Sequence, residues 1–483
     1  MCVVLVAIIV TAVWFYSQAT MSNVGELSFQ NPLRIPELLE PTVDRAGVKQ
    51  FDLNVQAGES QFRGGQRTPT WGANGAYLGP TIRASWGDRV ELAVTNDVDE
   101  TTTMHWHGMH LPAEMDGGPH QRIEPGATWT PTWTIDQPAA TLWYHPHLHG
   151  TTAEHVYRGV AGLFLLDDET SSGLEVPDDY GVDDIPLIIQ DKAFNSDGTL
   201  DLDTPFLASL GILGSDILVN GTHDPHLDVD HQRVRFRVLN ASNARTYNLG
   251  FTDDRDFQLI ATDSGLLDAP VTLDRLPLSP GERAEIVVSF TPGDDVVLRS
   301  YPPELGNLDF WNNRFNGGDD TFDLVQFRAA EQLAPSPAVP DTLVELNPHD
   351  PDDAATTRSF HLSGGAINGK PMDMDRIDQA VTVDTTEIWE IDGSGMAHNF
   401  HVHDVRFQVL DVDGRPPPAH LTGWKDTVPI LPGTTVRIIL AFSDYTDPAT
   451  PYMFHCHILR HEDRGMMGQF VVIDPGQGPR ETP

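Results

Sequence analysis

Near its C-terminal end the chain reads Tyr452-Met453-Phe454-His455-Cys456-His457-Ile458-Leu459-Arg460-His461-Glu462-Asp463-Arg464-Gly465-Met466-Met467. In a strand, side chains alternate between faces, so His455 and His457 point one way and Cys456 the other. If all three bind metal, they serve two different sites joined by the backbone of adjacent residues. His461 follows Cys456 by about one helical turn, and Met466 lies a little further on. Imidazoles, one thiolate and a weak thioether form the ligand set of an electron-transfer copper. Any fold for this chain must therefore place a single-metal site back to back with a second metal site.

Three further clusters supply imidazoles for that second site. They are His105-Trp106-His107, His145-Pro146-His147-Leu148-His149, and His398-Asn399-Phe400-His401-Val402-His403. Same-face pairs are His105/His107, His145/His147, His401/His403 and His455/His457. So many buried imidazoles so close together are costly unless metal satisfies them, and eight exceed what one metal takes. His398, Cys456, His461 and Met466 remain for the electron-transfer copper.

The rest of the chain has the texture of short strands and turns, such as Arg89-Val90-Glu91-Leu92-Ala93-Val94-Thr95, with 41 Gly and 37 Pro among 483 residues. Acidic or Pro-rich stretches at 167–184 and 329–357 read as linkers. They divide the chain into β-rich blocks at 45–168, 185–328 and 358–475. Asn74-Gly75, Asn220-Gly221 and Asn368-Gly369 recur at about 147 residues, as three copies of one domain would. The middle block has His223, His226 and His231 but no cysteine. It reads as a spacer without its own metal, its histidines in solvated loops.

A formal net charge of −40 argues against a nucleic-acid partner, whose phosphates it would repel. It reads first as a solvated acidic surface. The two cysteines are Cys2 and Cys456; with Cys456 occupied by metal, no structural disulfide is expected. Residues 2–16 are apolar and end in Ser17-Gln18-Ala19. Residues 1–19 read as a signal peptide or membrane anchor, which implies export to periplasm, cell surface or medium. With Met21 as the true start, the protein would be cytoplasmic.

These motifs, in this order, resemble those of the three-domain multicopper oxidases, which include laccases and bacterial cuprous oxidases. The resemblance extends to Gly79-Pro80-Thr81-Ile82, Asp116-Gly117-Gly118 and Gly423-Trp424-Lys425-Asp426-Thr427. It implies an all-β chain of three cupredoxin-like Greek-key domains holding four copper ions. On the matching positions, His398, Cys456, His461 and Met466 would hold a type 1 copper. His105 and His401 would hold the type 2 copper, and His107, His145, His147, His403, His455 and His457 the type 3 pair. His149 would not be a ligand, and His110, His120, His155 and His420 would be surface or supporting residues. Asp116 and Glu462 would be proton-relay acids.

The implied reaction couples four one-electron oxidations of a reductant to reduction of molecular oxygen to water. The reductant is a phenolic or aromatic compound, or Cu(I) in a copper-tolerance role. A Met-rich insertion is missing between Ser359 and Asn368, but Met372, Asp373, Met374 and Asp426 could form a small Cu(I) entry site, since thioether suits Cu(I). A relative that has lost its coppers, or a copper-sequestering protein, would not need the complete Cys456–His461–Met466 set.

Overall fold

The computed structural model describes residues 16, 19–204 and 208–480. The leader, apart from Tyr16 and Ala19, and Cys2 with it, therefore lies outside the described residues. No helix among the described residues is long and apolar enough to cross a membrane.

The chain is all-β: six sheets pair off along the sequence into three cupredoxin-like sandwiches. Alternation builds them. In strand Arg89–Asp97, every second side chain is buried, and Val90, Leu92 and Val94 join Phe51, Leu53, Trp106, Tyr144 and Phe164 in the first core. The same pairing recurs in each unit. Lys49–Ser60 runs parallel to Arg89–Asp97, Asp184–Lys192 to Arg233–Asn240, and Ala354–Ser363 to Thr385–Gly393. A second parallel pair closes the other sheet: Ile82–Ser85 with Gly162–Asp167, Pro225–His231 with Phe322–Ala334, and Gln379–Thr382 with Met467–Ile473.

The Asn-Gly turns occupy one position in this repeat. Asn74, Asn220 and Asn368 all have positive φ, at 57°, 50° and 53°. Each side chain accepts from one backbone N–H and donates to the carbonyl two residues earlier: Asn54 and Asp52, Ile188 and Pro186, His361 and Ser359. The amide side chain thus pins one strand edge in every unit, and Asn tolerates the left-handed conformation this requires.

Three expectations need correction. The Pro-rich stretch at 329–357 is a shorter connection than its composition suggests, because strand Phe322–Ala334 runs into it and strand Ala354–Ser363 starts inside it. His223, His226 and His231 lie on strands, half-buried, rather than in solvated loops. His155 is fully buried beside Thr102 and Glu100, so it is no surface residue.

Candidate metal centre

Strand Tyr452–His455 ends at the residue before Cys456, and the Cys456 N–H, bonded to the Met466 carbonyl, extends its register with Met467–Ile473 by one more pair. The chain then enters the short helix Leu459–Asp463, which carries His461. The expected split between faces survives this turn.

On one side, Cys456 Sγ lies 3.7 Å from His398 Nδ1 and 3.6 Å from His461 Nδ1. Cys456, His398, His461 and Met466 are all buried. The outer nitrogens of the two histidines face backbone carbonyls, His398 Nε2 that of Ser394 and His461 Nε2 that of Ser209. Those carbonyls select the tautomer that aims each Nδ1 lone pair at the sulfur. Burial holds His398 near a pKa of about 4 and His461 near about 3, and pushes the Cys456 thiol up to about 12. Metal binding there must displace the thiol proton.

On the other side, imidazoles from the first and third units meet. Strand His105–His107 pairs with Ala140–His145, while His401 pairs with His455 in the third unit. The facing rings stack antiparallel, with His105 on His403 at 3.9 Å and His107 on His401 at 3.7 Å between centroids. His147, His403 and His455 point their Nε2 atoms at one another, 3.0 to 3.3 Å apart. His403 Nδ1 already donates to Asp116 Oδ2 at 2.8 Å, so its Nε2 presents a lone pair. His105 donates from Nδ1 to the Asp116 carbonyl, and His401 from Nδ1 to the Asp426 carbonyl. Their Nε2 atoms, with His107 Nδ1, His145 Nε2 and both nitrogens of His457, are buried without a hydrogen-bond partner. Burial, with the neighbouring imidazoles, holds His107, His145, His147, His401, His403 and His455 well below the ordinary histidine range, and His457 at about 3. Neutral rings with converging, orphaned lone pairs fit a cluster of metal ions and have no comparably favourable metal-free arrangement.

Among the described residues, the groups able to hold a metal include His398/Cys456/His461, His147/His403/His455, His105/His401/His403 and His105/His107/His145. His457 lies 5.0 Å from His107 and 5.3 Å from His145 by ring centroid. His149 falls outside these groups. Both acids sit at the cluster. Asp116 bridges His105 and His403, and buried Glu462 lies 3.4 Å from His147 Nδ1 and 3.3 Å from His455 Nδ1. Burial, with Asp463 beside it, raises the Glu462 carboxyl well above its ordinary value.

The Cu(I) entry site does not assemble as expected. Asp426 is buried against Arg283, His107 and Thr427, engaged at the histidine cluster rather than with Met372 and Met374. Asp373 is exposed and pairs with Arg376. Met372, half-buried, donates its N–H to the Gly465 carbonyl beside Met466. Three contributors escaped sequence reasoning: Arg283, Gly281 and Asn399. Two of them sit in the block without cysteine, and no spacing marks them.

The comparisons fall on these strands. Family models described as multicopper oxidase match residues 54–171 and 336–476. A multicopper oxidase of Staphylococcus aureus is 37% identical across 93% of this chain and 94% of its own length. The cell division protein FtsP of Escherichia coli is 38% identical across 92% and 93%. The solved structure of a laccase-like multi-copper oxidase from Ochrobactrum sp. superimposes with a TM-score of 0.84 at 38% identity, over 92% of this chain and all of that one. With the likeness spanning the strands that carry every histidine cluster and the lone buried cysteine, the chain belongs to the multicopper oxidase family.

Proposed function

We propose that this protein is an oxidase that takes electrons singly from a small reductant and delivers them to oxygen. One observation carries this reading: Cys456 faces His398 and His461, while its chain neighbours His455 and His457 face the histidine cluster. Copper held at these residues supplies one-electron acceptance beside Cys456 and four-electron reduction of oxygen to water at the cluster. His398, Cys456, His461 and Met466 form the first site. His105 and His401, and the trios His107/His145/His457 and His147/His403/His455, form the second, four coppers in all. His455 and His457 flank Cys456 directly in the chain, so the electron path runs from the sulfur through the backbone of adjacent residues to the cluster. Asp116 and Glu462, buried against cluster histidines, hold protons where oxygen is consumed.

The donor is best read as an organic compound. A largely apolar cavity of about 340 Å³, lined by Ala397, His398, His420, Leu421 and Leu431, reaches His398, a setting suited to an aromatic ring. The engagement of Asp426 at the histidine cluster supports this over a cuprous oxidase. The likeness to a cell division protein makes a non-catalytic role the competing reading, and the filled ligand set stands against it. We place the protein outside the cytoplasm, the apolar leader acting as signal or anchor.

Copper analysis with oxygen uptake on a phenol and on Cu(I) tests all of this. Cys456→Ser is expected to lose both the blue colour and turnover; retention of either refutes the reading.

A further inference from the structure

The middle unit contributes no residue to the proposed ligand sets, yet its turn 279–283 reaches both of them. Gly281, at φ +86°, lies so close to His457 that a Cβ there would stand 3.0 Å from the imidazole ring. The Pro280 carbonyl accepts from Asn399 Nδ2 at 2.7 Å, and the Oδ1 of the same Asn399 lies 3.6 Å from Cys456 Sγ.

Arg283 is the anchor of this turn. It is fully buried, and each of its five N–H donors has a partner. Nε donates to the Thr141 carbonyl of the first unit at 3.0 Å. Nη1 donates to the Gly281 carbonyl and to Asp426 Oδ1, Nη2 to the Asp263 carbonyl and to Asp426 Oδ2. The fork onto Asp426 is bidentate, at 2.7 and 2.5 Å, which fixes the plane of the carboxylate as well as its charge. Asp426 in turn touches one histidine of the first unit and one of its own, the third. Its Oδ1 lies 3.0 Å from His107 Nε2, and its main-chain carbonyl accepts from His401 Nδ1 at 2.8 Å. In both rings the contact with Asp426 occupies one nitrogen and leaves the other, His107 Nδ1 and His401 Nε2, orphaned toward the cluster.

Resting on the oxidase reading above, we propose that Arg283 is a positioning residue for the oxygen-reducing site: by clamping Asp426 it sets the tautomer and ring orientation of His107 and His401 across the junction of all three units. The unit without metal is therefore the part that aligns the other two. A partner of this kind that orients metal-bound histidines is worth about 10–100-fold in metal retention. A lysine restores the charge but not the two-pronged geometry.

The test compares purified holoprotein of the parent chain with Arg283→Lys and Arg283→Met. Arg237→Met is the control: Arg237 is a similarly buried arginine whose partners are Asp184, Glu285 and the Thr141 hydroxyl rather than Asp426. Total copper, EPR spin count, blue absorbance and KM for oxygen are read on each folded sample. Arg283→Met is expected to keep the blue absorbance while copper at the histidine cluster is held about 10–100-fold less tightly. Its spin count per copper should change and its KM for oxygen rise, with Arg283→Lys intermediate and Arg237→Met unaltered in all four. Should Arg283→Met not fold, Arg283→Lys decides alone. A folded Arg283 variant with parental copper, spin count and KM overturns the inference, as does an Arg237→Met that shifts them equally. A parent chain that takes up no copper refutes the oxidase reading instead.

Discussion

Asp116 shows how much one side chain can serve. Its carbonyl fixes His105, its carboxylate fixes His403, and Oδ1 remains a buried acceptor without a hydrogen-bond partner. An asparagine there keeps the shape and the contact to His403 but can no longer exchange a proton. Asp116→Asn is therefore expected to keep full copper and the blue colour while turnover falls about 10²–10⁴-fold, the usual range for a lost proton-transfer group. Copper analysis beside steady-state oxygen uptake checks this, and parental turnover would assign Asp116 a purely orienting role. At this scale the convergence of the histidine clusters was legible and several of their supports were not. A histidine announces itself by spacing, because a strand's alternation turns i, i+2 into one face. Arg283 carries no such mark, since its partner Asp426 lies 143 residues away in sequence and only folding joins them. For the same reason, nothing in the spacing of Asp426 places it with His107 and Arg283.

Among the elements, the Asn-Gly turns recur as the same strand-edge lock. They differ in burial: Asn220 is buried and makes a third bond, from Nδ2 to the Arg34 carbonyl, whereas Asn368 is exposed. Asn220→Ala is expected to cost about 3–4 kcal/mol, from lost buried hydrogen bonds and the unfavourable left-handed backbone. Asn368→Ala should cost about 1–2 kcal/mol, since water replaces part of what is lost. Denaturant unfolding of the two variants decides, and equal costs would disprove a burial-dependent lock. The threefold repeat was readable from these turns because the backbone at that position tolerates few residues. The linker ends were less so: the strands Phe322–Ala334 and Ala354–Ser363 run into polar, exposed sequence whose composition resembles a loop.

In the molecule as a whole, the units meet through buried charge. Arg237 joins Asp184 and Glu285 beside Thr141 of the first unit, and Lys425 pairs with Asp263 and Glu282 between the second and third. Lys192 is the least compensated of these. Its ammonium donates to the Tyr157 carbonyl of the first unit and lies 4.0 Å from that ring's centroid. Burial lowers its pKa from 10.5 to about 7, with Asp191 only partly opposing. The unfolded chain therefore binds this proton more strongly, and between about pH 7 and 10.5 stability contributed here rises with pH. Below pH 7 the full penalty applies. Lys192→Met should then raise stability by more at pH 6 than at pH 9, by a difference on the order of a few kcal/mol. Unfolding curves of the metal-free protein at both values test it, and a pH-independent effect excludes it.

The stacking of His105 on His403 and of His107 on His401 has a consequence for biosynthesis. On the oxidase reading proposed above, a nascent chain that has emerged only as far as the second sandwich holds His105, His107, His145 and His147 but neither the third unit's histidines nor Cys456. It can bind stray metal, but it has no thiolate route for electrons to oxygen. Electron delivery to the histidine cluster would thereby wait until the last strands are made and docked.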